Sequence, residues 1–149
     1  SPKFVFVHIV APHGPLVFNA EGEFVVYPEE MEAAAFFDAY VAEITYLNQR
    51  ALGVVDAIQA NPDRPAVIIL QGDHGHDLSG PVDRMAILNA YYLPGGSEGL
   101  YPSISPVNTF RVVMNRFFGG DFDLLEDRSY FSLYQDPYDL KSIPNDCLP

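Results

Sequence analysis

Three short runs along this chain are nearly continuous in apolar residues: Phe4-Val5-Phe6-Val7-His8-Ile9-Val10, Ala66-Val67-Ile68-Ile69-Leu70, and residues 85–93. Runs of this length, rich in β-branched or aromatic side chains and bounded by Pro or Gly, suit strands buried on both faces, as in the middle of a parallel sheet. Two longer stretches carry a different period. Over Glu29 to Ala60, Phe37, Tyr40 or Val41, Ile44, Leu47, Ala51, Val54 or Val55, and Ile58 recur at three- and four-residue steps, which paints one apolar stripe on a long helix. Its first turns hold the acidic residues that a helix dipole favours, and Asn61-Pro62 ends it. Gly53 lies inside the pattern at a cost of about 1 kcal/mol against alanine, so a close approach to the sheet is expected there. In the second stretch, Ser105 caps a helix that begins at Pro106, carries Val107, Phe110, Val113 or Met114 and Phe117 on one side, and stops at Gly119-Gly120.

The order strand, loop, helix, strand predicts an α/β fold with a mainly parallel sheet flanked by helices. Strands near 4–10, 66–71 and 86–93 are expected in one sheet, with the 29–60 helix packed on a face. Residues 16–28 read as an irregular excursion or a short hairpin. The whole chain reads as one domain, with a core over about 3–120. An acidic, tyrosine-rich tail over about 121–149 is expected to lie across it, held by Tyr130, Phe131, Leu133 and Tyr134.

Chemistry concentrates where the first two runs stop. The strand at 66–71 leads into Gly72-Asp73-His74-Gly75-His76-Asp77, and the strand at 4–10 leads into Ala11-Pro12-His13-Gly14-Pro15. In open α/β sheets, ligands bind beyond the carboxyl ends of the strands. Parallel strands would bring His13 and Asp73-His74 to the same edge and into one crevice. Taken singly, each segment also fits a plain turn, with Asp73 bonding its own backbone and the histidines in solvent. His76 reads either as a further ligand or as a solvent-facing turn residue.

Composition narrows the choices. Of 149 residues, 48% are hydrophobic and 13% aromatic, which is enough for a packed core. Eight basic against 20 acidic residues give a net charge of −12, so nucleic acid and anionic membrane surfaces are poor partners. No run reaches the roughly 18 apolar residues needed to cross a bilayer, and no signal peptide is present, so the chain reads as soluble. The single cysteine, Cys147, forms no internal disulfide and matches no zinc pattern. Ser1-Pro2 has the look of a cut edge, and a strand starting this abruptly suggests that sequence ahead of it has been removed.

Taken together, these segments resemble the sulfatase-like hydrolases of the alkaline phosphatase superfamily. Residues 4–15 look like that family's strand and PHxP loop, and Gln71-Gly72-Asp73-His74-Gly75 looks like its SDHG loop. Tyr46 to Gly53 is similar to its Y-x-D-x-x-x-G helix segment. Arg84 to Gly95 resembles its R-x-P-x-x-x-Y-x-P-G strand, and Ser105 to Gly119 the helix ending LLxxxG. The likeness covers about residues 3–120, and the nearest branch is the lipoteichoic acid synthase and phosphoglycerol transferase side. Asn48, Gln71 and Ala86 depart from the usual Asp, Ser or Thr, and Pro.

What the resemblance implies is a divalent metal site, with Asp73 and His74 as ligands and His13 on the phosphate or sulfate group of an ester substrate. Mixed carboxylate and imidazole ligands suit Zn²⁺ or Mn²⁺ better than Ca²⁺. The family's nucleophile and first acidic ligand pair precede the PHxP strand, whereas only seven residues precede His8. The chain is therefore expected to be the carboxyl-terminal part of a catalytic domain, inactive alone, from a parent anchored in the cell membrane with its catalytic domain outside. The competing readings are a non-catalytic domain of the same fold used for binding or scaffolding, and an unrelated α/β binding module.

Overall fold

A computed structural model of the chain describes residues 3–61, 63–76 and 80–145. They form two compact units, residues 1–65 and 66–149, each taken by itself below.

The first unit is built on helix α1, Ala33–Gln59. It starts later than its acidic run predicts. Glu32 keeps an extended backbone at the N-cap, and no acid stands in the first turn, so Glu29 and Glu30 lie ahead of the helix. The helix ends at Gln59 with Ala60 as C-cap; Pro62, expected to end it, lies outside the described residues. Residues 16–25 settle into a small hairpin. Val25 N–H donates to Val17 O at 2.9 Å, Phe18 pairs with Phe24, and Asn19 Oδ1 accepts the amides of Glu21 and Glu23 at 3.1 and 2.8 Å. The Phe18 and Tyr46 rings meet at 5.3 Å. Gly22, at φ +81°, lies so close to Tyr46 that any Cβ there would strike the ring.

Three expectations for this unit fail. The buried side of α1 holds Ala39 and Glu43, while Phe37, Val41 and Ile58 of the predicted stripe are exposed. Gly53 makes no close approach, since nothing lies within 4 Å of where its Cβ would be. Residues 4–10 are also not a strand. They are unpaired, and Phe4 to Val7 are 70–82% exposed. The run has strand propensity, but a strand persists by pairing, and no described residue pairs with it.

The second unit runs β1 (Ile68–Gln71), α2 (Pro81–Met85), β2 (Asn89–Tyr92), α3 (Pro106–Phe118), β3 (Ser129–Leu133) and β4 (Asp136–Ile143). β1 and β2 sit where strands are predicted, but they pair antiparallel, with Ile68 opposite Tyr92 and Gln71 opposite Asn89. The described sheets are two antiparallel pairs, β1 with β2 and β3 with β4, in place of the expected parallel sheet. The reason lies in the 72–88 connection. A parallel crossover needs an element long enough to carry the chain back along the sheet. α2 has five residues, so this segment instead turns the chain directly back.

α3 follows the predicted caps closely, with Ser105 and Pro106 at its start and Gly119 in the left-handed conformation (φ +69°) at its end. It buries Asn108, Thr109, Val112 and Val113, and Leu93 is buried in the same unit. The hydroxyls of Tyr91 and Thr109 bond at 2.7 Å and join β2 to α3. Arg116 donates to Pro94 O at 3.0 Å and Gly96 O at 2.6 Å, fixing the Pro-Gly-Gly turn to the same helix.

The acidic tail is not a loose cover. Its described part forms the β3–β4 hairpin, and Tyr134 stands 95% exposed at the turn, so it anchors nothing. The tail is attached on both sides of that hairpin: Asn108 donates to Leu125 O at 2.7 Å and accepts the Leu125 amide at 2.9 Å, and Asn145 Nδ2 donates to Ser103 O at 2.9 Å. Cys147 lies outside the described residues. No helix among those described is long and apolar enough to cross a membrane.

Candidate functional site

In the second unit, β1 stops where Gly72 N–H donates to Leu88 O at 2.9 Å, and Asp73 and His74 follow at once. Gln71 Nε2 donates to Asn89 Oδ1 at 3.1 Å across the last register pair, which locks the base of the loop. Asp73 Oδ1 accepts the His74 amide at 3.0 Å, as the plain-turn reading expects, while the Asp73 side chain stays 86% exposed. His74 Nδ1 lies 2.7 Å from Gly75 O. A carbonyl oxygen can only accept, so Nδ1 carries the proton and the neutral ring keeps its lone pair on Nε2. That Nε2 stands 3.9 Å from Asp73 Oδ2. Two metal-capable atoms therefore face solvent side by side, in the tautomer that imidazole ligation requires.

The loop is held from beneath by α2 and the residue after it. Gly75 N–H donates to Arg84 O at 2.7 Å. A Cβ on Gly75 would strike Asp83 O and come within 2.6 Å of Ala86 O. Glycine at this position is thus a packing requirement, which the sequence shows only as one more turn glycine. His76 is half-buried, and Asp77 lies outside the described residues.

In the first unit, His13 is exposed on its proline loop. Its amide donates to Val10 O at 2.9 Å and its Nδ1 donates to Gly14 O at 2.8 Å. The ring is thus held in the same way as His74, with Nε2 outward. Residues 4–10 form no strand among the described residues, so no sheet edge is described at the His13 loop. A shallow depression along α1, lined by Gln49, Arg50, Gly53, Val54, Ala57 and Ile58, offers no carboxylate or imidazole.

The donor chemistry of Asp73 and His74 fits a Zn²⁺ or Mn²⁺ ion, but their number fills at most half of a four-coordinate site. Among the described residues, no group of three or more His, Cys, Asp or Glu side chains comes together to hold a metal.

Two acids, Glu43 fully buried and Asp127 half-buried, escaped the sequence reading. Glu43 is fully buried on α1; its Oε2 accepts Val17 N–H at 3.2 Å, and its Oε1 has no partner among the described residues. Burial pushes its carboxyl pKa up, and the Val17 bond offsets this only in part. Asp127 lies at the start of α3, where it accepts the Ser105 amide at 2.8 Å, the Ser105 hydroxyl, and Tyr101 Oη at 2.5 Å. Burial would raise its pKa, but the bonds from Ser105, Tyr101 and Asn108 outweigh that and hold the carboxyl below its ordinary value. The available signal was Glu43 interrupting an apolar helix pattern; for Asp127, one acid among many, there was none.

A protein-family model described as Sulfatase matches residues 1–111. No curated protein and no solved structure matches the chain. The match takes in the His13 loop, α1, the Asp73-His74 loop, the β1–β2 pair and the first half of α3, and on it the chain belongs to the sulfatase family, within the alkaline phosphatase superfamily.

Proposed function

We propose that this chain supplies part of the site of a metal-dependent hydrolase or transferase that acts on phosphate or sulfate esters. Family membership carries the coarser part: the parent is a sulfatase-type hydrolase, from a family that generally depends on a divalent metal, with an α/β fold. The observation that carries the finer part is the pairing of His74 Nε2 with the exposed Asp73 carboxylate at 3.9 Å. Asp73 and His74 would hold the ion, with Zn²⁺ or Mn²⁺ favoured over Ca²⁺ by the mixed donor set. Such an ion polarises phosphoryl or sulfuryl oxygens and can activate a nucleophile.

The chain's own residues have separate tasks. The Gly75 carbonyl keeps the His74 proton on Nδ1, Arg84 O holds Gly75 in place, and the Gln71–Asn89 bond fixes the loop base. His13, with Nδ1 donating to Gly14 O, would donate from Nε2 to an oxygen of the transferring group in its doubly protonated imidazolium form. The attacking group is assigned to sequence outside this chain. Within the same reading, residues 4–10 join a mainly parallel sheet in the complete catalytic domain. The phosphoglycerol transferase branch, and with it a membrane-anchored parent facing outward, is the preferred placement.

One observation favours the non-catalytic alternative for the chain alone, namely that no third ligand joins Asp73 and His74 among the described residues. Calorimetric titration with Zn²⁺ or Mn²⁺, beside turnover of p-nitrophenyl phosphate and p-nitrophenyl sulfate, tests both statements. The expected affinity is weaker than about 1 μM, under about 8 kcal/mol of binding free energy, weaker still in Asp73→Ala, with no turnover. Submicromolar binding abolished by Asp73→Ala, or turnover that survives extensive purification, would show that far more of the site is present than two ligands.

A further inference from the structure

Glu43 breaks the rule that a helix buries its apolar side chains. It is fully buried on the side of α1 that also buries Ala39. Burying a carboxyl without full hydrogen bonding costs free energy, and an apolar side chain of the same volume would avoid that cost. The bond it does make is to Val17 N–H, 26 positions away in sequence. Val17 lies four residues beyond His13. Between them, Pro15 has a fixed φ and no N–H to donate, and Leu16 is buried at 5% exposure. The entry to the loop is set by the His13 amide on Val10 O, and the ring by Gly14 O. The exit is set at Val17.

We propose that Glu43 is a positioning residue for His13: its buried carboxyl fixes the chain at Val17 and so sets where the His13 loop leaves α1. The position of the outward Nε2 then depends on a side chain that touches neither His13 nor a ligand. Assigning this a role in ester binding rests on the reading of His13 as the ester-facing residue.

The test uses the isotope-labelled full chain and two variants. Glu43→Met keeps the volume and removes the acceptor, while Glu43→Gln keeps an acceptor oxygen. Amide exchange at Val17 and the ring resonances of His13 are followed by NMR, with inorganic phosphate as the anionic probe and exposed His8 as the internal reference. In Glu43→Met, exchange at Val17 should rise at least about fivefold, the His13 ring signals should move, and their response to phosphate should weaken. Glu43→Gln should stay near the parent chain. A lowered melting temperature in Glu43→Met with unchanged His13 signals would reduce Glu43 to a packing residue and overturn the proposal, as would Glu43→Gln behaving like Glu43→Met. If phosphate leaves His13 unmoved in the parent chain, the ester-facing reading fails, while the Val17 and His13 responses still decide the positioning role.

Discussion

Replacing Asp127 by alanine is expected to lower the unfolding free energy by about 3 kcal/mol, a large part of the 5–15 kcal/mol typical of a domain. One carboxylate accepts the Ser105 amide at 2.8 Å, the Ser105 hydroxyl, Asn108 Nδ2 at 3.1 Å and the Tyr101 hydroxyl at 2.5 Å. Bonds to a charged acceptor contribute about 1.5–3 kcal/mol each, though they are not additive when they share one acceptor and water can replace part of the loss. The negative charge also sits at the positive end of the α3 dipole. Ser105 makes no side-chain cap to its own helix, because its hydroxyl is spent on Asp127. Asn108, fully buried, would keep Leu125 and the Tyr101 hydroxyl but lose part of its amide's pairing.

The pH dependence has a definite sign. The folded carboxyl titrates below its ordinary value, so its contribution is fully present above the unfolded-state pKa and is lost as pH falls through the depressed folded one. Urea unfolding followed by circular dichroism should show an acid-side loss of stability in the parent chain that is reduced in Asp127→Asn. A loss under 1 kcal/mol for Asp127→Ala would mean that solvent replaces the network at little cost.

Gly75→Ala should be nearly as damaging, and its effect should reach the candidate metal loop. The added methyl would meet Asp83 O and Ala86 O, which are backbone atoms that cannot rotate aside. Either the loop or the end of α2 must shift, at about 1–3 kcal/mol by analogy with overpacked interiors. Moving Gly75 moves the carbonyl that holds the His74 proton and breaks the amide bond to Arg84 O. The response of His74 to Zn²⁺ should therefore fall at least about tenfold, equivalent to about 1.4 kcal/mol. Gly53→Ala is the control: that helical position is open, so alanine should stabilise by up to about 1 kcal/mol without touching the loop. Equal metal responses in Gly75→Ala and the parent chain would show that the loop tolerates displacement.

Local pattern carried much of this architecture. α3 follows its apolar spacing and its Ser105-Pro106 and Gly119 signals, and β1 follows its apolar run. α1 exists where periodicity puts it, but it buries Ala39 and Glu43 in place of the larger residues of its stripe. Burial depends on what covers a helix, and the cover here is a hairpin at 16–25 whose pairing is not a property of α1. The described strand pairing departs from the expected parallel sheet for a similar reason. Strand propensity at 4–10 and 68–71 says nothing about partners, and the return of the chain through α2 decided the β1–β2 direction. At the site, residue types marked His13, Asp73 and His74 as chemical candidates. They did not show the shared tautomer lock on Gly14 and Gly75, which depends on backbone geometry.

The central claim is that Asp73 and His74 offer adjacent metal-binding atoms, and long-range ¹H–¹⁵N NMR of the His74 ring during Zn²⁺ titration of the full chain tests it most directly. The predicted spectrum before metal shows the proton on Nδ1, and Zn²⁺ then moves the Nε2 resonance in a manner weakened by Asp73→Asn. A proton on Nε2 in the free chain, or a Zn²⁺ response indifferent to Asp73, would contradict the claim.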